Sequence, residues 1–262
     1  MKKPAAAVAA VLIGAVSLVI VILIFHRGPI PQDRAYHHFA DTRAVAGIPN
    51  FFDVMSNLGF AAVGLWGAAA VFRRRDDCDP FVEAGEYLPY ILFFTGMCLI
   101  AAGSLYYHLA PDNRRLLCDR VPMTVSFMAF FSIVISERVK ASLGLKLILP
   151  LVILGIASAL YWYSTELRGA GDLRPYVMVQ FYPIIIIPLM IALLPRRYTH
   201  GAVFVLVVLI YASSKPLEMY DGFIFRFTGG LISGHTLKHL VSSVAALPLI
   251  WMISVRKPAA DL

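Results

Sequence analysis

Cysteine is scarce in this chain. Its three positions, Cys78, Cys98 and Cys118, are odd in number and nowhere spaced CxxC, which argues against a disulfide framework and a thiolate metal site. Charge is scarce too: Asp, Glu, Lys and Arg make up 15% of the residues, against roughly a quarter in a typical soluble domain. The charges that exist gather in short clusters, so no soluble stretch carries the basic, aromatic-interleaved patch that nucleic-acid binding requires. No internal repeat or low-complexity tract is evident.

What is abundant is apolar. Hydrophobic residues reach 59% of 262, and the mean hydropathy is +0.74, a surplus that a soluble core could not absorb. A membrane-spanning helix needs about 20 mostly apolar residues. Runs near 5–25, 51–72, 89–110, 119–138, 145–163, 175–194, 202–220 and 232–254 meet that length, and they predict an all-α polytopic membrane protein with short links. The first run is longer than a signal-peptide core, and no small-residue cleavage site precedes His26 and Arg27, so it reads as a retained helix. Pro122, Pro150, Pro183, Pro188, Pro216 and Pro248 predict kinks, because neighbouring helices can satisfy the backbone groups a proline frees. The net charge of +7 reads as topology signal and headgroup contact. The Arg73–Arg75 cluster and the basic residues at both ends favour cytoplasmic N- and C-termini.

Seven histidines are present. His26, His37, His38 and His200 lie in predicted loops, where they need no special account. His108, His235 and His239 lie at membrane depth, where an ionisable group is costly and marks a functional site by default. His235 and His239 are four residues apart, so both rings project from one helix face. Ser104 and His108 share a face of another helix in the same way, and Asp119 heads the helix that follows. With the N-terminus inside, all five residues fall near the outer ends of their helices. Three imidazoles suit zinc and leave its fourth position open for water, which marks a catalytic site rather than a structural one. Bound zinc brings that water's pKa to about 7. Asp119 could take or relay the proton, and Ser104 could donate to a developing oxyanion. The competing reading is that the histidines bridge helices by hydrogen bonds while Asp119 caps its helix or pairs with Arg120.

At these residues the chain resembles the alkaline ceramidase family, and more distantly the seven-helix receptors that include the adiponectin receptors. The resemblance rests on Ser104-xxx-His108, Asp119 and His235-xxx-His239 in the family's order, and on Phe51 to Leu58 as the first core helix. Ile48-Pro49-Asn50 and the stretch from Glu218 to His239 are similar to bacterial members, and the likeness runs from about Asp41 to Trp251. It implies seven core helices over residues 51–256, preceded by an added transmembrane helix in 1–30 and an outer connecting segment in 31–50. It further implies zinc on His108, His235 and His239, with Asp119 assisting the water and Ser104 the oxyanion. The activity implied is hydrolysis of the amide of ceramide, or of a related N-acyl lipid, to an amine and a fatty acid. The implied location is a bacterial inner membrane, with the site near the periplasmic side. The family's acidic calcium-binding segment is not matched. Only Asp41 and Asn50 offer oxygen ligands there, against the six to eight calcium prefers, so no calcium site is expected.

Other polar residues read more plainly. Lys238, about 100° around the helix from His239, is expected to snorkel or pair with an acid. Glu218 and Asp221, at an outer helix end, read as loop residues ahead of partners to the metal ligands, Tyr106 and Tyr107 as belt or pocket, and Arg114 and Arg115 as solvated loop charges ahead of contacts to an anionic headgroup. The alternative function is a lipid-binding, receptor-like protein pinned by zinc and without turnover. A transporter lacks its expected repeat, a di-iron desaturase its histidine boxes, and a serine protease its GxSxG around Ser104.

Overall fold

A computed structural model describes residues 6–259, and among these the chain is all-helical, with two isolated backbone bridges and no strand. The helices are α1 (Ala6–His26), α2 (Phe51–Ser56), α3 (Leu58–Arg74), α4 (Leu88–Leu109), α5 (Asn113–Arg138), α6 (Ala141–Leu167), α7 (Arg174–Leu193), α8 (Val203–Met219), α9 (Asp221–Phe227), α10 (Gly234–Val244) and α11 (Leu247–Val255). Among the described residues seven spans are long and apolar enough to cross a membrane, with α2–α3 and α10–α11 each counted as one. The pair α8–α9 would make an eighth but bends by 78°. The chain is therefore a polytopic membrane protein. Residue 5, the start of the first predicted run, lies outside the described residues.

Local chemistry sets the helix ends. Asp112 caps α5 by accepting from the Arg115 backbone N–H at 2.7 Å, and Ser233 caps α10 by accepting from Thr236 N–H at 3.0 Å, each satisfying a donor that the first turn leaves orphaned. Pro248 sits in the first turn of α11, where its missing N–H costs nothing, and the span breaks just before it. Asn57 separates α2 from α3, its side-chain amide donating to the Asp53 carbonyl at 2.7 Å.

Helices α3 to α8 and α10 pack as a bundle, with α5 touching α4, α6 and α7. Helix α1 stands apart against α7, with only 6% of its apolar window buried. Ser17 and Tyr182 share a hydrogen bond at 3.0 Å between these two helices. In water such exposed Leu and Val would be untenable in number; against lipid they match their solvent. Arg174 fastens the end of α1 by donating to the Arg27 carbonyl at 2.6 Å, and it grips Asp172 through Nε and Nη2, each at 2.8 Å.

Asp172 lies in the loop before α7, and hydrogen bonds from Arg174 hold its carboxyl below the ordinary range against the opposing pull of burial. A carboxylate with a depressed folded pKa stabilises above its unfolded value and loses that contribution as pH falls through the folded one. Asp172→Asn is therefore expected to be less stable at neutral pH. The variant should also lose part of the stability change that the wild type shows below about pH 4, measured by thermal melts across pH in detergent. Identical melting profiles would contradict this.

Candidate metal centre

The three membrane-depth histidines converge. His108 lies in the last turn of α4, while His235 and His239 occupy successive turns at the start of α10, and all three are buried. One ring nitrogen from each lies within 4.8 Å of the others, and the ring centroids are 4.8–4.9 Å apart. Such a set can hold a metal ion.

Neighbouring residues hold the rings there. Asn50, left-handed at φ 48°, donates its amide to the His108 carbonyl at 2.8 Å, one of the acceptors a helix C-terminus leaves open. Asp221 accepts from the His235 backbone N–H at 2.8 Å, doing the same for the N-terminus of α10. Asp53 on α2 accepts from Thr236 at 2.6 Å and from Ser233 at 3.3 Å, tying α2 to α10. The Phe39 ring packs against the cluster, 4.6 Å from both His108 and His235.

The polar atoms fit a metal. His108 Nδ1 is buried with no hydrogen-bond partner, a costly state for an imidazole nitrogen unless a ligand or ion engages the ring. Ser56 Oγ donates its single proton to the Asp53 carbonyl at 3.0 Å and stands 2.8 Å from His239 Nδ1. His239 Nδ1–H must then be the donor in that contact, which leaves the lone pair on Nε2 for an ion. Ser56 is thus a positioning residue for His239. Loss of such an outer partner weakens metal binding about 10–100-fold, so Ser56→Ala is expected to need that much more free zinc for half-occupancy. An unchanged zinc titration would contradict the tautomer assignment.

Ser104, Asp119 and His239 line a cavity that continues between apolar walls such as Met97, Phe130 and Ile187. Ser104 and Asp119 are both buried. Asp119 does not head its helix as the sequence suggested. Helix α5 starts at Asn113 under the Asp112 cap, so Asp119 lies well inside it and is free of capping duty. Among the described residues it makes no ion pair with Arg120, which donates to Gln32 at 2.6 Å and stacks on Trp162 at 4.1 Å.

Other polar residues find partners across the fold. Lys238 does pair with an acid, and the acid is Glu218 at 2.7 Å. Glu218 is no loop residue: it lies within α8 and also accepts from Lys215 at 3.0 Å and from Tyr36 at 2.9 Å. Asp221 opens α9 and accepts from His235 and Ala40. Tyr107 is buried and bonds His37, while Tyr106 is exposed under the Arg115 guanidinium. Arg114 and Arg115 belong to the first turn of α5. Asp41 is committed to Arg43 at 2.5 Å; burial would raise its pKa, but Arg43 outweighs burial and holds it low.

Comparison with protein-family models, with curated proteins and with solved structures finds no match to this chain.

Proposed function

We propose that this chain is a multi-pass membrane amidase that uses zinc on His108, His235 and His239 to hydrolyse an N-acyl lipid, ceramide or a relative of it. The observation that carries the reading is a cluster of three imidazoles, one of which, His239, lines an apolar cavity together with Asp119 and Ser104. The likeness to alkaline ceramidases supports the same residues in the same roles. On this reading residues 51–256 form a seven-helix core, with the bent α8–α9 pair supplying one span and α1 added before it. The termini are cytoplasmic, the site lies near the periplasmic side of a bacterial inner membrane, and 31–50 is the outer connecting segment.

Zinc, when bound, supplies a polarising charge and a water with a pKa near 7. The chain's own residues do the rest. The apolar walls take the acyl chain and bring its carbonyl to the polar end. Asp119 accepts the proton of the attacking water and passes it to the departing nitrogen. The Ser104 hydroxyl donates to the carbonyl oxygen as negative charge grows there. One water is consumed: a C–O bond forms, the C–N bond breaks, and a fatty acid and an amine leave.

The test is release of fatty acid from a panel of N-acyl lipids by the purified chain and two variants. Ser104→Ala is expected to lower kcat about 10²–10³-fold, as removal of an oxyanion donor does. Asp119→Asn should lower it about 10²–10⁴-fold, as loss of a general base does. Both should retain zinc. Zinc bound to the wild type without release from any lipid would favour the receptor-like reading instead.

A further inference from the structure

Resting on the amidase reading, we infer that Lys215 and Lys238 form a subsite for a negatively charged group on the amine side of the scissile amide. The substrate class is then an anionic N-acyl lipid, such as an N-acyl amino acid.

Both lysines line the cavity at its polar end, in company with Ser104, Asp119 and His239. Ammonium groups at this depth are costly and demand compensation. Glu218 is their common partner, with Oε2 on Lys215 at 3.0 Å and Oε1 on Lys238 at 2.7 Å. Oε1 also accepts from Tyr36. One carboxylate is thus divided among three donors. Asp119, which lines the cavity with the two lysines, supplies the second negative charge beside them.

Donors remain to be used. An ammonium carries three N–H groups. Among the described residues Lys215 Nζ makes its one hydrogen bond to Glu218 and otherwise faces the Phe181 and Tyr211 rings at 6.0 and 5.8 Å. Lys238 adds only a 3.4 Å contact to His235 Nε2. Three neutral imidazoles contribute no negative charge, so a divalent ion on them would give these otherwise balanced groups a positive surplus. An anion delivered by the substrate closes that balance. The far walls of the cavity are apolar and suit the acyl chain, which leaves the amine portion at the lysines.

The experiment compares N-lauroylglycine with its neutral counterpart N-lauroylethanolamine on the full zinc-loaded chain in a non-ionic detergent, reading both binding and lauric acid release. A hydrogen-bonded charge pair predicts at least about tenfold tighter binding of N-lauroylglycine. The preference should vanish in Lys215→Gln and persist in Lys215→Arg, with zinc content unchanged in both variants as proof of an intact fold. Attraction of a carboxylate to the metal alone would not depend on Lys215. Equal binding of the two amides, or a preference that survives Lys215→Gln, overturns the subsite. Lauric acid binding with the same Lys215 dependence overturns its placement on the amine side. A Lys215-dependent preference without release keeps the subsite and removes the amidase reading. Release from both amides without preference keeps the amidase and removes the subsite.

Discussion

Replacing His235 with alanine is expected to abolish stable metal binding and, with it, fatty-acid release. His235 supplies one of three nitrogens clustered within 4.8 Å, and two imidazoles cannot hold zinc as a catalytic site requires. Loss of an outer partner alone costs about 10–100-fold in affinity, and loss of a ligand should cost more. Zinc per chain, measured by mass spectrometry after gel filtration, should fall from about one to near background. A second signature is independent of turnover. A ligand that binds only the folded state stabilises it by about 2.7 kcal/mol at a hundred times its Kd, so added zinc should raise the wild-type melting temperature and leave that of His235→Ala unmoved. A variant that still binds one zinc and melts higher with it would remove His235 from the site.

The second large effect is expected at the opposite end of the bundle. Eighteen residues of α5 separate Asp119 from Glu137, about 27 Å at the helical rise. There Arg256 is almost fully buried and donates to the Pro80 carbonyl through Nε (2.7 Å) and Nη2, to the Tyr90 hydroxyl at 2.6 Å and to Glu137 at 3.3 Å. Its guanidinium stacks 4.1 Å from the Tyr198 ring. Nearby, Tyr198 donates to Glu86, which also pairs with Arg197 at 3.1 Å. Arg256→Met would leave Glu137 buried with only Arg138, 3.7 Å away. Removing one partner of a buried pair costs about 3–5 kcal/mol, chiefly through the charge left behind. Thermal unfolding in detergent should show a loss of that order, and adding Glu137→Gln to Arg256→Met should recover much of it. Wild-type stability in the single variant would contradict a structural role for this network.

The spans were legible because the apolar surplus is segmented by charge, and the run near 89–110 coincides closely with Leu88–Leu109. Where charge intrudes on a helix, that signal misleads. Asn113, Arg114 and Arg115 read as a polar turn, yet the Asp112 cap starts α5 there and Arg115 folds back onto the Ala110 carbonyl at 2.5 Å. The seven-residue α9 has no span-length signal at all. Its sharp turn away from α8 leaves Phe223 and Phe227 stacked and exposed.

The proximity of the three histidines was legible for a related reason. Four-residue spacing aligns rings on a helix face, and topology places the two faces at one depth. The partners that orient them were not, because they depend on pairings across the fold. Ser56 reaches His239 across 183 positions, and Lys238 finds Glu218 twenty residues earlier on another helix. No local pattern distinguishes a loop acid from one that a neighbouring helix buries.

Metal on these histidines is what would make the chain an amidase. The most direct test is lauric acid release from N-lauroylglycine, N-lauroylethanolamine and ceramide by the purified wild type as isolated, after chelation, and after return of one equivalent of zinc. Release from at least one of these lipids should disappear on chelation and return with zinc. Release indifferent to zinc, or none from a chain shown to carry it, would contradict the account.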